Sequence, residues 1–275
     1  MGKFDGILIC TDLDGTLLKN DKTVSEKNLE AIRYFMSEGG KFTFITGRMH
    51  YFMGKIRDTV PTNAPIGCAN GGAVYDCASE TYLRLRTLPQ DVYEVVEYIT
   101  EQVQGIGVIV NTADKLYFPY DNSATERHRF LTGMPYATAD LKTFDKPIAK
   151  IVFADEREAA LLRAAELLNT HPRADEFNFI RSEKSLYEIN TKGNTKGSVM
   201  LEICDICGID RRRSVALGDY DNDVSMLRAA GVGVAVGNAS ANAKAAADRV
   251  TVTNEEDAIA RVISDIESGE IRFAE

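Results

Sequence analysis

The chain has 275 residues, of which 44% are hydrophobic and 27% charged, a composition typical of folded globular proteins rather than disordered ones. Its 41 acidic and 32 basic side chains give a formal net charge of −9. That average charge repels a polyanion such as DNA, and no Lys/Arg-rich run offsets it, so no nucleic-acid partner is expected. No apolar run approaches ~18 residues, so neither a membrane span nor a membrane partner is predicted.

The five cysteines favour a reducing compartment, because their number is odd and several lie in apolar segments. Cys204 and Cys207 form a C-x-x-C pair, but they fall at the end of a helical pattern, whereas redox-active pairs need a helix N-terminus to lower the thiol pKa. No second pair completes a zinc site. Since no secretory signal is recognisable either, we predict a cytoplasmic protein.

Five short apolar runs predict buried strands. In chain order they are ILIC before Thr11-Asp12, FTFI before Thr46, PIGCA before Asn70, SVAL before Gly218-Asp219 and VGVAV before Gly237. Continuous rather than alternating hydrophobicity suits strands that are covered on both faces, as in parallel sheets.

Helical patterns lie between several of these strands. One begins near Ser25 as N-cap, with Leu29, Ile32, Phe35 and Met36 inward; a second spans 197–208, with Val199, Met200, Ile203 and Ile206 inward; a third spans 223–230. Strands alternating with helices predict an α/β fold with a doubly wound, Rossmann-like parallel sheet. Because such sheets bind ligands beyond the carboxyl ends of their strands, we expect the polar strand tips to converge on one crevice.

The stretch 83–186 has a different character. It carries helical patterns at 89–103 and 155–169 and strand-like pieces IGVIVN, KLYFPY, IAKIVFA, FNFIR and LYEIN. The doubly wound pattern resumes only at Gly197. We therefore predict a smaller α+β unit, 83–186, inserted into a core formed by 1–82 and 187–275.

Two aspartates, Asp12 and Asp14, follow the first predicted strand at positions i and i+2. In an extended chain their side chains share a face and lie roughly 6–7 Å apart. Two such carboxylates repel each other unless one is protonated or a cation lies between them. A hard divalent cation such as Mg2+ would resolve this conflict, although Asp14-Gly15 is also compatible with a simple turn.

The segment GDYDND places Asp219, Asp221 and Asp223 after another predicted strand, at the same expected sheet edge. This accumulation of negative charge favours a metal site, with a solvated acidic loop as the alternative. A calcium loop of the EF-hand type is excluded, because its sixth position would be Val224 rather than glycine.

Two further residues can bind an anion beside such a metal. Thr46 offers a hydroxyl at the end of a predicted strand, and Lys196 precedes a predicted helix, so its ammonium and the helix N-terminus can meet one anion. The segment GNTKG lacks the Walker A spacing, which disfavours a P-loop nucleotidase. No G-x-G-x-x-G follows a strand, which disfavours a dinucleotide-binding protein.

Four ordered motifs, D-x-D-G-T-L, I-T-G-R, T-K-G and G-D-x-x-N-D, resemble those of the haloacid dehalogenase superfamily of phosphohydrolases. The phrases ANGGAVYD and VGNASANAKAAADRVT are similar to its Cof-type branch, subfamily IIB, which has a large α/β cap between the second and third motifs. The resemblance implies that 83–186 is this substrate-specificity cap. For the cap, the resemblance rests on its position and size in the chain and not on matching residues.

The resemblance also implies the catalytic roles. Asp12 is the nucleophile that forms an aspartyl-phosphate, and Asp14 is the general acid and then the general base. Thr46 and Lys196 bind the transferring phosphoryl group.

The remaining roles that the resemblance implies concern the metal and the substrate. Mg2+ is held by Asp12, the Asp14 backbone carbonyl and Asp219, with Asp223 supporting them from behind. The residues expected to bind substrate are Gly47, Arg48, Asn70 and Asn222.

The function that follows from the resemblance is Mg2+-dependent hydrolysis of small phosphorylated metabolites, with sugar phosphates favoured over FMN or pyridoxal phosphate. A phosphomutase is an alternative, and so is a non-catalytic phospho-receiver or ligand sensor, although a receiver needs no leaving-group acid such as Asp14. The sequence leaves open the natural substrate, the oligomeric state and the roles of Tyr220 and Asp221. Cap residues that can either contact the substrate or form ordinary surface are Tyr117, Tyr120, Arg127, His128 and Arg129.

Overall fold

In the computed structural model, which describes residues 2–132 and 136–274, the chain forms two units. The first comprises Met1–Arg48, Met53–Arg84 and Thr195–Glu275, and the second comprises Met49–Phe52 and Leu85–Asn194. The insertion expected from the sequence, 83–186, overlaps the second unit over residues 85–186. Its assignment as a substrate cap stays a prediction.

The helices and strands occur in the following chain order. The N-terminal part of the chain contains β1 (Leu8–Thr11), α1 (Glu26–Ser37), β2 (Lys41–Phe44), α2 (Gly54–Thr59), β3 (Ile66–Cys68), β4 (Ala73–Asp76) and β5 (Thr81–Leu85). The second unit contains α3 (Val92–Gln102), β6 (Gly107–Asn111), β7 (Leu116–Tyr120), α4 (Ser123–Thr132), β8 (Tyr136–Ala137), β9 (Lys150–Ala154), α5 (Glu158–Asn169), β10 (Phe177–Glu183) and β11 (Leu186–Thr191). The first unit ends with α6 (Lys196–Cys207), β12 (Ser214–Gly218), α7 (Val224–Ala229), β13 (Val232–Ala235), α8 (Ala241–Ala246), β14 (Arg249–Val250) and α9 (Ala258–Glu267).

The core of the first unit is a parallel sheet with strand order β14-β13-β12-β1-β2. Strand β1 lies between β12 and β2, with Cys10 opposite both Ala216 and Thr43. All four residues of β1 are buried, as a strand covered on both faces requires. The predicted fold class is confirmed. Because β1 and β12 run in the same direction, their carboxyl ends bring Asp12 and Asp219 to one edge of the sheet.

One predicted strand occupies a different place. Strand β3, from the run PIGCA, pairs with the chain that follows β2 through an isolated parallel bridge between Ile45 and Gly67 and is not one of the five strands of the parallel sheet. It pairs antiparallel with β4 in a separate three-stranded sheet, β3-β4-β5. A tight turn reverses the chain immediately after these three residues, so β4 takes the position beside β3.

Helix α6 positions Lys196 as its first residue. The Thr195 hydroxyl accepts a hydrogen bond from the Ser198 N–H at 3.0 Å, and the Ser198 hydroxyl accepts one from the Thr195 N–H at 3.1 Å. This reciprocal capping box fixes where the helix begins. The helix ends at Gly208, whose φ of 65° is left-handed and costs glycine little.

The predicted inward face of α6 was wrong at one residue. Ile206 is 47% exposed, whereas Cys204 is buried. Met200, Ile203 and Cys204 share a face at the i+3 and i+4 spacing of a helix, and a residue six positions after Met200 points elsewhere.

The second unit is built on a sheet with strand order β10-β11-β9-β6-β7-β8. Alternate residues form two apolar clusters: Val108 and Ile151 belong to the larger, with residues of α3 and α5, while Ile109 and Val152 belong to the smaller. The predicted helices at 89–103 and 155–169 are observed as α3 and α5, and the five strand-like pieces as β6, β7, β9, β10 and β11. No helix within 2–132 and 136–274 has the length and hydrophobicity to span a bilayer.

We predict that Thr195→Ala lowers the free energy of unfolding by about 1 kcal/mol, because it removes the oxygen that caps α6. Thr195→Ser keeps that oxygen and should unfold within a few tenths of a kcal/mol of the wild type. Urea unfolding followed by circular dichroism measures both changes. An equal loss in the serine variant would show that the threonine methyl group, rather than the hydroxyl, provides the stabilisation.

Candidate active site

Three carboxylates meet at the carboxyl edge of the parallel sheet. Asp12 directly follows β1, Asp219 directly follows β12, and Asp223 ends the short 3-10 helix Asp221–Asp223. Each contributes a carboxylate oxygen to a cluster in which these atoms lie within 4.8 Å of one another. Asp12 and Asp223 are buried, and Asp219 is half-buried. The sequence prediction that Asp12 and Asp219 share a site is thus matched by their positions.

The Lys196 ammonium lies within the same cluster. Its Nζ is 2.6 Å from Oδ1 of Asp12 and 2.6 Å from Oδ1 of Asp223. The lysine side chain has no exposed surface, so its charge depends on these two partners for compensation. Burial lowers the pKa of Lys196, but the charges of Asp12 and Asp223 outweigh burial and raise the pKa above its ordinary value.

The carboxylates themselves carry more negative charge than one lysine can balance. Burial raises the pKa of Asp12 well above its ordinary value; Lys196 counteracts this rise, while Asp223 and Asp219 add to it. Burial and the charge of Asp223 raise the pKa of Asp219 to about 6, against an opposing hydrogen bond from the Thr16 hydroxyl. The cluster therefore has the charge and the ligand type to bind a further cation.

The residues present fit Mg2+. The donor set consists of carboxylate oxygens, the ligands that hard divalent cations prefer, and it contains no thiolate or imidazole that would favour a softer metal. Asp12 and Asp219 would hold the ion, together with the predicted backbone carbonyl of Asp14.

Asp223 contacts the buried lysine directly, through its Oδ1. Its expected role in supporting the metal ligands stays a prediction. Its other oxygen, Oδ2, accepts hydrogen bonds from the backbone N–H groups of Asp219 and Tyr220 at 2.9 and 3.0 Å. Asp223 thus fixes both the lysine and the loop that carries Asp219.

Asp14 is paired with two cations. Arg48 donates from Nε to Oδ2 at 2.8 Å and from Nη2 to Oδ1 at 2.7 Å, a bidentate pair, and Lys22 donates to Oδ1 at 2.8 Å. Burial alone would raise the pKa of Asp14, but the hydrogen bonds and charges of Arg48 and Lys22 hold it below its ordinary value. In this arrangement the charged form of Asp14 is favoured.

The predicted anion-binding and substrate-binding residues lie on neighbouring loops. Thr46 is buried, and its hydroxyl accepts a hydrogen bond from the Arg48 N–H at 3.2 Å. Asn222 donates from Nδ2 to Oδ1 of Asn70 at 3.0 Å. A Cβ at Gly47 would lie 3.1 Å from the Asn70 amide, so the glycine allows this close approach. The structure therefore connects all four expected substrate-binding residues with Thr46.

The acidic loop residue Asp221 points away from the cluster. Its Oδ1 accepts hydrogen bonds from Ser240 at 3.2 Å and Asn242 at 3.1 Å, and so ties its loop to the start of α8. Tyr220 contributes its backbone N–H to Asp223. The extra carboxylate in GDYDND is thus explained by local structure.

Within the second unit, two of the candidate specificity residues have ionic partners. Arg127 pairs with Glu156 at 2.9 Å, and Arg129 pairs with Asp121 at 2.6 Å. The Arg129 guanidinium also lies over the rings of Phe118 and Tyr136. The other candidates have mixed surroundings: Tyr117 is buried beside Phe144, Tyr120 is 37% exposed, and the His128 ring meets Phe52.

The sequence reasoning missed two residues of the site. Thr16 was quoted within D-x-D-G-T-L but given no role, although its hydroxyl donates to Asp219 at 2.9 Å. Lys22 lies eight residues after Asp14, and nothing in the spacing of that loop indicates that the ammonium folds back onto the carboxylate.

The sequence profile of haloacid dehalogenase-like hydrolases matches residues 9–263 of the chain. The chain belongs to this family. The match covers all four motifs, and it confirms the resemblance drawn from them.

Individual relatives agree with this assignment. The chain is 31% identical to a 5-amino-6-(5-phospho-D-ribitylamino)uracil phosphatase of Bacillus subtilis, over 94% of this chain and 96% of that protein. It is 28% identical to a pyridoxal phosphate phosphatase of Escherichia coli, over 93% and 97% of the two chains. A solved haloacid dehalogenase-like hydrolase from Bacteroides thetaiotaomicron superposes with a TM-score of 0.82 at 26% identity, covering 94% and 99%. The predicted enzyme class, a phosphoric monoester hydrolase, is confirmed by these relatives.

We predict that Lys196→Met destabilises this hydrolase by about 3–5 kcal/mol, because it leaves buried carboxylates without their cation. Mg2+ should offset part of that loss, so adding it in place of EDTA should raise the melting temperature of the variant more than that of the wild type. Thermal unfolding followed by circular dichroism measures both shifts.

The matched control is Lys150→Met, which breaks a buried pair in the second unit, between Lys150 and Glu188 at 2.9 Å. Lys150→Met should also lower the free energy of unfolding, but Mg2+ should raise its melting temperature no more than it raises that of the wild type. Equal responses of the two variants to Mg2+ would contradict a cation site at Lys196.

Proposed function

We propose that this protein is a Mg2+-dependent phosphatase that hydrolyses small phosphorylated metabolites through an aspartyl-phosphate on Asp12. The observation that carries the proposal is the contact between the Lys196 ammonium and Asp12 inside a cluster of three carboxylates. A carboxylate is a poor nucleophile toward a phosphate dianion until the negative charge is compensated. This arrangement supplies that compensation beside the attacking oxygen.

In the first half-reaction, a carboxylate oxygen of Asp12 attacks phosphorus, and the bond between phosphorus and the leaving oxygen breaks. Asp14 donates a proton to that oxygen, and Thr46 and Lys196 bind the phosphoryl group. Mg2+, when bound, supplies electrostatic stabilisation of the transferring phosphoryl oxygens. In the second half-reaction, Asp14 accepts a proton from the water that hydrolyses the aspartyl-phosphate, which releases inorganic phosphate and restores Asp12.

The surroundings of Asp14 support its role as base more directly than its role as acid. Arg48 and Lys22 favour the carboxylate form, which is the form that accepts a proton. To act as acid, Asp14 has to release at least one of these cations. A phosphate dianion is a competing partner for Arg48, since a guanidinium binds phosphate in the same bidentate geometry as carboxylate.

For the substrate we propose a phosphomonoester of a small metabolite, with sugar phosphates and related phosphorylated polyols favoured. The relatives named for a phosphoribitylamino uracil and for pyridoxal phosphate support small phosphorylated molecules as the class. We further propose that the second unit selects among them, with a cytoplasmic location in keeping with five unpaired cysteines.

We predict that the purified protein releases inorganic phosphate from some members of a phosphometabolite panel in the presence of Mg2+, and that EDTA abolishes this release. The panel should contain hexose and pentose phosphates, 5-amino-6-(5-phospho-D-ribitylamino)uracil, pyridoxal phosphate and FMN. Transfer of the phosphoryl group between sugar positions, dependent on a bisphosphate activator, would identify a phosphomutase instead. A long-lived phosphorylated protein without turnover would identify a receiver.

We predict that Asp12→Asn lowers kcat by more than about 10³-fold, because the amide lacks the nucleophilic oxygen while leaving packing intact. Far-ultraviolet circular dichroism and the melting temperature verify the fold of the variant. Asp221→Asn makes the same chemical change in a carboxylate that is bonded to Ser240 and Asn242 outside the cluster, and it should stay within about twofold of wild-type kcat. Comparable turnover by Asp12→Asn and wild type would refute the nucleophile assignment.

A further inference from the structure

The turn that joins β3 to β4 has an unusual backbone. Ala69 and Asn70 both have φ of 52°, and Gly71 has φ of 100°. Left-handed conformations are unfavourable for residues with a Cβ, particularly for alanine, and persist only where surrounding contacts hold them. This segment, Ala69–Gly72, is called the strained turn below.

The strained turn contacts loops that carry three of the four motifs. The Ala69 N–H donates to the Arg48 carbonyl at 3.0 Å, and the Asn70 N–H donates to the Thr46 carbonyl at 3.1 Å. The Asn70 side chain accepts a hydrogen bond from Asn222, beside Asp223.

The same turn also packs against the start of α6. A Cβ at Gly71 would lie 2.2 Å from the Thr195 carbonyl oxygen, so the two backbones are in direct contact immediately before Lys196. The geometry of this turn therefore bears on the positions of Thr46, Asn222 and Lys196 together.

Arg84, on β5, joins the strained turn to α6. Its Nη2 donates to the Gly71 carbonyl and its Nη1 to the Gly72 carbonyl, both at 3.3 Å. Its Nε lies 2.9 and 2.7 Å from the two carboxylate oxygens of Glu202, and Nη2 lies 2.7 Å from Oε2. The guanidinium thus bonds two carbonyls of the turn and a carboxylate of the helix that begins at Lys196.

A lysine cannot reproduce this arrangement. The guanidinium is planar and presents its N–H groups in a fixed fork, whereas an ammonium is a single point of charge on a flexible chain. The Arg84 side chain is 19% exposed and that of Glu202 is 32% exposed, so solvent competes less than at an open surface.

We propose that Arg84 and Glu202 are positioning residues for phosphoryl transfer, acting through the strained turn on Thr46, Asn222 and Lys196. This inference rests on the proposed function, since positioning is measured as catalysis. Neither residue contacts the predicted reacting atoms. Their effect is to hold the turn in its left-handed conformation against the start of α6, so that the phosphoryl-binding groups keep a fixed spacing.

The test is Arg84→Lys, measured with the phosphometabolite that the wild type hydrolyses best. Because misplacement of binding groups by about 1 Å can cost on the order of 10²-fold in rate, we expect kcat to fall by roughly 10- to 100-fold. Hydrogen exchange at the amides of residues 69–72 should accelerate relative to the rest of the sheet. The Mg2+ affinity should stay within about twofold, because no ligand oxygen is changed.

Arg173→Lys is the matched control. Arg173 makes a similar bidentate pair with Glu176, at 2.8 and 2.7 Å and 21% exposure, in the second unit. Arg173→Lys should lower the free energy of unfolding at least as much as Arg84→Lys does, but it should not lower kcat to the same extent. Glu202→Gln provides an independent variant that removes the carboxylate paired with Nε and Nη2 of Arg84, and it should also lower kcat. The double variant of Arg84→Lys and Glu202→Gln should have nearly the same kcat as Arg84→Lys alone, as expected for two residues that act as a unit.

The outcomes separate this inference from the proposed function. An active wild type together with unchanged kcat and unchanged exchange at 69–72 in Arg84→Lys would overturn the positioning role. If Arg84→Lys does not fold, wild-type kcat in a folded Glu202→Gln variant would overturn it equally. An inactive wild type would overturn the proposed function, and accelerated exchange confined to 69–72 in Arg84→Lys would still support the structural link.

Discussion

The site depends on one buried charge. The Lys196 ammonium has no exposed surface, and removing a charge from water costs several kcal/mol unless partners compensate for it. Asp12 and Asp223 provide that compensation at 2.6 Å each, which requires three separate stretches of chain to meet within a few ångströms. The strands, helices and loops of the first unit hold Lys196, Asp12 and Asp223 at these distances.

Each partner is held by a different structural element. The parallel pairing of β1 with β12 brings Asp12 beside the loop of Asp219. The capping box at Thr195 fixes the start of α6, and so the origin of the lysine side chain. Asp223 accepts hydrogen bonds from its own loop, so the carboxylate that contacts Lys196 also orders the residues preceding it.

Close packing at the site restricts what its neighbours can be. A Cβ at Gly15 would lie 2.5 Å from a carboxylate oxygen of Asp219, and a Cβ at Gly218 would lie 2.4 Å from the Cβ of Asp223. Larger residues at either position would displace the carboxylates. The glycines of D-x-D-G and G-D-x-x-N-D are therefore explained by the space that the cluster needs as well as by turn geometry.

The sequence by itself determined the fold class, and its motifs indicated most of the residues that the structure brings together in the candidate site. Continuous apolar runs ending in aspartates identified strands β1 and β12, because a strand buried on both faces has a distinctive pattern and its carboxyl end is where polar ligands collect. Four ordered motifs then identified the family. In the same way, the local capping signal at Ser25 marked a helix start that the structure reproduces.

Only the tertiary structure decided how these groups are paired. It joined Asp14 to Lys22 and Arg48, placed Asp223 in contact with Lys196, and turned Asp221 toward α8. Such contacts link residues whose spacing along the chain carries no period, so no pattern of propensity or hydrophobicity can indicate them. Arg84 and Glu202 illustrate the limit: they lie 118 positions apart, and they meet where Arg84 also bonds the carbonyls of Gly71 and Gly72.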